Sequence, residues 1–289
     1  MGNPIVNEEL RQDSCQLKSR LWLVSGAHLS ASTGALIVLN QAWYKNYPRS
    51  GFHFHDDLPD WFQQDKLGHL IAGYYLSRIS SETFRWAGMD NNRSALWGSL
   101  AGSTFLASIE ILDGFSEQWG ASTSDLVANT MGSVMFAGQQ FLWDEQRITI
   151  KYSYSGSGLA RYRPGLLGSS LPAKMLKDYN AQTYWLSVNL SSFFPESNLL
   201  PPWLNIAVGH GANGMLGSRV NPYTHNDLPL PQLIRYREWY LAPDIDLTRI
   251  PVNNPWLKRL LHTLNLFKLP TPAIEFNSVS GLKFHWIFF

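Results

Sequence analysis

The sequence predicts an α+β protein: an N-terminal four-helix, membrane-associated bundle, followed by an antiparallel β-sheet or partial barrel of about six strands. Three observations predict it. The first 145 residues hold four long stretches almost free of charge, with apolar residues at helical spacing. Beyond residue 146 the apolar period drops to two, the period of strands. Charged residues make up only 16% of the 289, against roughly 25% in ordinary soluble chains. Rings are abundant, with 12 Trp, 12 Tyr and 15 Phe. Aromatic side chains with one apolar and one wet edge favour lipid or partner surfaces.

Taken in chain order, residues 1–18 are polar and read as a flexible N-terminus, 19–145 as the helical bundle and 146–289 as the strand-rich domain. Leu21 to Tyr44 carries no formal charge over 24 residues, and about 20 suffice to cross a bilayer. Ser25, His28, Ser30, Asn40 and Gln41 make the stretch only weakly hydrophobic, while Gly26, Ala27, Ala31, Gly34 and Ala35 permit close helix approach. A lipid-facing span and a bundle helix both fit. The second helix is predicted from Asp65 to about Arg85, the third over Arg93–Leu112 and the fourth over Ser124–Glu145. Gly98, Gly102, Gly132 and Gly138 each weaken these helices by roughly 1 kcal/mol relative to Ala, which close packing offsets.

Strands are predicted where apolar residues alternate: 147–154, Tyr184/Leu186/Val188/Leu190, Leu204/Ile206/Val208 and, less evenly, Trp239/Leu241, Ile245/Leu247, Ile274/Phe276 and Leu282/Phe284/Trp286/Phe288. Asn253-Asn254-Pro255 caps a helix over 256–268, with proline at its first position. The alternating aromatics that end at Phe289 resemble the last strand of outer-membrane barrels. Such single-chain barrels have at least eight strands, so about six favour a sheet or partial barrel packed on the bundle.

Function classes narrow next. A net charge of +1 without a Lys/Arg-rich run argues against nucleic acid as a partner. The single Cys15 excludes an internal disulfide framework and a Cys-based zinc site. Polar residues precede Cys15, so it reads poorly as a lipid anchor, and no conventional signal peptide stands before it. Targeting is then expected from Leu21 onward, or from a start that lies elsewhere.

The informative polar residues sit at helix ends. Asp65, Lys66 and His69 open the second helix at spacings that share one face. Glu110 and Asp113 close the third. Ser122-Thr123-Ser124-Asp125 opens the fourth, with Ser122 and Asp125 at capping-box spacing and Asn129 one turn beyond. Among apolar neighbours such groups persist only when paired or metal-bound. One reading pairs Lys66 with Asp125 or Glu110 to fix helix register. The other makes the carboxylates and His69 a general acid–base pair or a divalent-cation site.

The runs D-K-L-G-H (65–69), E-I-L-D-G-F-S-E-Q-W-G-A-S (110–122) and S-D-L-V-A-N-T-M-G (124–132) resemble the YfiM-like family of predicted periplasmic lipoproteins. The likeness to its longer members extends to 52–54, 177–187, 202–209 and 244–250. A looser likeness, through Asp-Lys-x-x-His and Asp-x-x-x-Asn-x-x-Gly, reaches VanZ-like membrane proteins. The resemblance implies a cell-envelope location, periplasmic or at the outer membrane. It also implies a site at Asp65, Lys66, His69, Glu110, Asp113, Asp125 and Asn129, and names no substrate.

Other signals are weaker. His53, His55 and His69 are candidate metal ligands if the segment from Phe52 to Asp65 folds over the bundle mouth. Gly209-His210-Gly211-Ala212-Asn213-Gly214 matches a dinucleotide fingerprint but lacks the following helix that holds a pyrophosphate, so it reads as a glycine-rich turn and no nucleotide cofactor is expected. Lys177–Asn180 and Asp244/Asp246/Arg249 read as a solvated rim or salt-bridge set. The sequence thus predicts a membrane-associated scaffold, or a protein binding envelope lipid or an envelope partner. The alternatives are a hydrolase of envelope lipid or glycan, or metal binding at the same cluster.

Overall fold

A computed structural model describes residues 4–45, 47–197 and 199–289. The chain divides into two units: residues up to Asp57 with His69–Gln146, and Leu58–Gly68 with Arg147–Phe289.

The first unit is helical. Helix α1 runs Pro4–Leu39, α2 Gln64–Trp86, α3 Asn91–Gly114 and α4 Thr123–Trp143. α1 starts well before Leu21, in the polar stretch expected to be flexible; residues 1–3 of that segment lie outside the described residues. Glu8, Glu9, Leu10, Arg11 and Gln12 are all strong helix formers, so polarity there does not prevent helix. Asp90 caps α3 by accepting from the Arg93 N–H at 3.0 Å. Ser122 caps α4 through the Asp125 N–H at 3.0 Å.

Glycines set how closely α2, α3 and α4 approach. A Cβ on Gly132 would stand 2.0 Å from the Leu70 carbonyl oxygen, and one on Gly73 2.1 Å from that of Asn129. Gly98 meets Ser81 and Gly102 meets Ser77 in the same way. Gly138 faces open space, so the packing reason expected for it does not hold. α1 joins this group through Val24 against Phe84 and Ala87, and His28 stacks on Phe84. The tight core is thus made by three helices, with α1 alongside. Leu96, Trp97 and Leu100 on α3, and Val127, Met131 and Val134 on α4, point outward.

The second unit is built on a sheet. In chain order come β1 Ile148–Tyr154, α5 Pro164–Leu167, α6 Leu171–Lys177, β2 Gln182–Asn189, α7 Leu190–Phe193 and β3 Leu204–Asn213. A small hairpin, β4 Thr224–His225 with β5 Leu228–Pro229, leads to β6 Tyr236–Ile245, α8 Pro255–Leu264, β7 Thr271–Asn277 and β8 Gly281–Phe288. The six long strands form one antiparallel sheet in the order β1-β2-β3-β6-β7-β8. The sheet does not close into a barrel. The backbone of Tyr152 instead bonds the strap before β7, through Leu266 O at 2.8 Å and Lys268 N at 3.0 Å.

The period-two pattern finds these strands, but their outer face is apolar and exposed, while the inner face mixes buried polar groups with an apolar cluster of Trp185, Ala207, Tyr240, Ala242 and Ala273. Outward positions hold Leu186, Ile206, Val208, Trp239, Leu241 and Ile274, all exposed. Inward positions hold Lys151, Ser187, Asn205, Glu238, Asp244 and Glu275, all buried. Their charges are matched internally: Lys151 Nζ lies 2.7 Å from Asp244, which also accepts from Ser187 Oγ at 2.6 Å. Glu275 bonds His285 at 2.6 Å. Asp178 is buried as well, accepting from Ser157 Oγ at 2.6 Å and Asn180 Nδ2 at 3.0 Å. Asp178 and Asp244 are therefore interior groups rather than a solvated rim. The glycine-rich run 209–213 is strand, not turn. Gly209 is needed because the Trp185 ring lies on it, 2.7 Å from where a Cβ would stand.

The segment 58–68 belongs to this unit. Trp61, Phe62 and Gln63 take φ of 50°, 52° and 63°, a left-handed run that costs about 1–3 kcal/mol per residue and needs external support. Arg237 supplies it, donating to the Phe62 carbonyl at 2.7 Å and to the Gln63 side chain, while Ser218 O accepts from Trp61 N at 2.8 Å. Arg219 pairs with Asp60 at 2.5 Å. The run ends at Gln64, the first residue of α2, which is buried and bonds His210 Nδ1 at 2.7 Å. Burial and the neighbouring Arg237 charge push His210 down to about 4, so its ring is neutral at pH 7.

Candidate acid–base site

The helical unit gathers polar side chains where the end of α3 meets the start of α4. Its centre is His69, in the second turn of α2 with its side chain one-quarter exposed. The Nδ1 atom faces Asn129 Oδ1 at 3.1 Å and Glu110 Oε1 at 3.8 Å. On the other side of the ring Nε2 faces Asp125 Oδ1 at 3.5 Å. Glu110, Asp125 and Asn129 are all buried.

Local structure explains each placement. The Ser122 hydroxyl caps α4, and its backbone N–H reaches back to Glu110 Oε2 at 3.2 Å. That cap fixes Asp125 in the first turn, where a carboxylate suits the positive end of the helix dipole. The Ser122 N–H, which a capping box ties to the third residue on, reaches Glu110, and the Asp125 side chain faces His69. Below the cap, Asp57 accepts from both Ser122 Oγ at 2.6 Å and Ser124 Oγ at 2.7 Å.

Two buried polar atoms at this centre lack hydrogen-bond partners among the described residues: Glu110 Oε1 and Asn129 Nδ2. Burial and the nearby Asp125 charge together raise Glu110 to about 7, with His69 and the Ser122 N–H pulling the other way. A carboxyl held near neutrality beside an imidazole can take and return a proton at physiological pH.

Other predicted residues are placed differently. Asp113 turns away to accept from the Tyr44 hydroxyl at 2.7 Å, and burial with that carboxylate raises the Tyr44 pKa. Lys66 is buried and pairs within the sheet unit with its neighbour Asp65 at 3.0 Å. Asp65 also accepts from the Tyr179 hydroxyl at 2.6 Å. Tyr44 carries no sequence signal; Tyr179 falls within the 177–180 run read as a rim or salt-bridge set, and Asp57 sits outside the helix-end pattern. Among the described residues His53 and His55 join no group of three metal-ligand atoms, and His53 Nδ1 instead meets Ser50 Oγ at 3.2 Å. Their backbone is tied to the α3–α4 connection, with His53 N to Gly114 O and His55 N to Ala121 O, each at 2.9 Å. His69 and Asp125 present one nitrogen and one oxygen, two of the three protein ligands of a catalytic zinc site. α2 carries a further carboxylate, Asp65, one helical turn ahead of His69.

Residues 60–138 match a family described as "Predicted periplasmic lipoprotein (DUF2279)". The matched span includes every residue of the predicted cluster. The envelope location on its periplasmic side, expected from the sequence, agrees with that description. Comparison with curated proteins and with solved structures gives no match.

Proposed function

We propose that the protein is a membrane-associated component of the cell envelope, held to lipid by α1 and acting there as a lipid- or partner-binding protein. The observation that carries this is the stretch Gln16–Leu39. It is long and apolar enough to cross a membrane, and only 6% of its most apolar window is buried. Trp22, Leu23, Leu29 and Val38 stand exposed along it. In water each such side chain forgoes roughly 1.5–3 kcal/mol of burial, and lipid recovers it. The likeness to YfiM-like lipoproteins and VanZ-like membrane sequences supports the same setting. The test uses the full chain with Cys15→Ser and Leu29→Cys, labelled with an environment-sensitive fluorophore and reconstituted into phospholipid vesicles. Blue-shifted emission quenched by mid-chain doxyl lipids is expected. Emission like that in buffer rejects the reading.

A second reading is favoured by the unpartnered Glu110 Oε1 beside a partly open His69. Here His69 and Glu110 serve as acid and base in hydrolysis of an envelope lipid or glycan, with Asp125 and Asn129 orienting the ring. Release of product from labelled envelope lipid or glycan by the wild type, lost in a folded Glu110→Gln protein, supports it. Equal turnover by both proteins rejects it.

A further inference from the structure

We infer that the outer face of the six-stranded sheet, together with α8, is a second lipid-contacting surface, whose occupants are the acyl chains and anionic headgroups of a bilayer. The inference shares the membrane premise of the proposed function but rests on a different surface.

The sheet's outer face is a continuous exposed apolar surface, although its inner face already holds an apolar cluster at Trp185, Tyr240 and Ala242 among buried polar groups. An antiparallel sheet with one wet face turns its apolar side inward and its polar side to water. Here Leu186, Val208, Leu241, Phe276 and Phe284 face out from successive strands, while Lys151, Asn205, Asp244, Glu275 and Asn277 face in. The registers make this continuous across strands. Val208 pairs with Leu186 and Leu241, Leu241 with Ile274, and Ile274 with Phe284, all on one side. On the opposite side Asn205 pairs with Asn189 and Asp244, closing a hydrogen-bonded interior. Apolar-out, polar-in alternation is the pattern selected when hydrocarbon is the outer solvent.

The apolar face is not flat: Ile206, Leu241, Pro243, Pro272, Ile274 and Phe284 line a groove of about 380 Å³. That volume lies in the range of pockets for small apolar ligands, roughly 300–1,000 Å³.

Helix α8 is amphipathic and carries cations. Trp256, Leu257, Leu260 and Leu264 form one exposed apolar stripe, whereas Lys258 and Arg259 lie off it. A short helix with exposed Trp and Leu on one side and cations on the other lies in the headgroup layer, where the cations meet anionic lipid. The open sheet, with β1 and β8 at its ends, defines the geometry. Hydrocarbon cannot satisfy unpaired backbone N–H and C=O groups, so the sheet meets lipid with its face rather than crossing the bilayer as an open span.

The test places single cysteines on the full chain in the Cys15→Ser background, at Leu241 and Phe284 on the sheet, Leu260 on α8, Leu29 on α1 and Ser169 as a loop control. Each is labelled and reconstituted into vesicles of phosphatidylethanolamine and phosphatidylglycerol containing doxyl lipids. The expected result is loss of fluorescence at Leu241 and Phe284 with mid-chain doxyl and at Leu260 with headgroup-proximal doxyl, with little change at Ser169. Omitting phosphatidylglycerol should weaken quenching at Leu260. Quenching at Leu29 without quenching at Leu241 and Phe284 overturns this inference and leaves the α1 anchor standing. Sheet labels that are shielded from aqueous iodide before lipid is added, and cross-link between copies, also overturn it by naming a second copy as the cover. Quenching on the sheet without quenching at Leu29 supports this inference while removing the anchor.

Discussion

Replacing Glu110 by Gln tests how the helical unit tolerates a buried carboxyl. Glu110 is buried, and its pKa rises from 4.5 to about 7, first through burial and second through the Asp125 charge. An acid whose pKa is higher in the fold than in the unfolded chain binds its proton more tightly when folded. Stability is therefore greatest below about pH 4.5, falls as pH rises through the window between 4.5 and 7, and levels off above it. Moving a pKa by one is worth about 1.36 kcal/mol, so the full loss across that window is about 3 kcal/mol. Gln keeps an acceptor for the Ser122 N–H but carries no charge. Glu110→Gln should match the wild type within about 1 kcal/mol near pH 4.5 and exceed it by about 1–3 kcal/mol at pH 8. That gain corresponds to a rise in Tm of roughly 2–4 °C per kcal/mol. Scanning calorimetry in detergent between about pH 4.5 and 8 measures the difference, in which titrating groups remote from Glu110 cancel, leaving its ionisation and its coupling to Asp125 and His69. Parallel Tm profiles for the two proteins, or a variant uniformly less stable, would show that Glu110 ionises as freely in the fold as outside it.

Two further outcomes follow from packing and pairing. Gly132→Ala places a Cβ about 2.0 Å from the Leu70 carbonyl oxygen, forcing α2 and α4 apart; overpacking of this kind costs about 1–3 kcal/mol or more in urea unfolding, and a neutral effect would contradict the close approach. Lys151→Met strands Asp244 in the sheet interior and should cost about 3–5 kcal/mol, while Lys151→Met with Asp244→Leu should recover most of it. Equal instability of single and double variants, measured by the same unfolding, would argue against a self-contained pair.

Much of the architecture is legible in the residues alone. The uncharged runs locate α2, α3 and α4 to within a few residues, because apolar spacing and the Ser122 and Asn254 caps are local signals. The strands are legible for the same reason, as in 147–154 against β1 at 148–154. Which face is buried is not legible. Alternation is unchanged when inside and outside are exchanged, so Leu186, Val208 and Leu241 give the same period whether they form a core or an exterior. What decides the matter is non-local, the pairing of Lys151 with Asp244 more than 90 residues away in sequence. At the candidate site, His69, Glu110, Asp125 and Asn129 can be found because they recur at helix ends. Asp113 groups with Glu110 by its i, i+3 spacing, which still leaves the two side chains about 60° apart around the helix, and Asp113 faces Tyr44. Asp57 lies in an irregular segment, where no period exists to reveal it.

The division of α2 has a practical outcome for anyone cutting this chain. Its opening turn is rooted among the strands, where Gln64 bonds His210, Asp65 takes the Tyr179 hydroxyl and Lys66 lies buried. A fragment ending at Gln146 keeps the span 60–138 matched by the family, yet strips Gln64 of His210 and Asp65 of the Tyr179 hydroxyl. Expression of that fragment should yield a helix frayed up to the residue before His69, with a left-handed run at 61–63 that nothing holds.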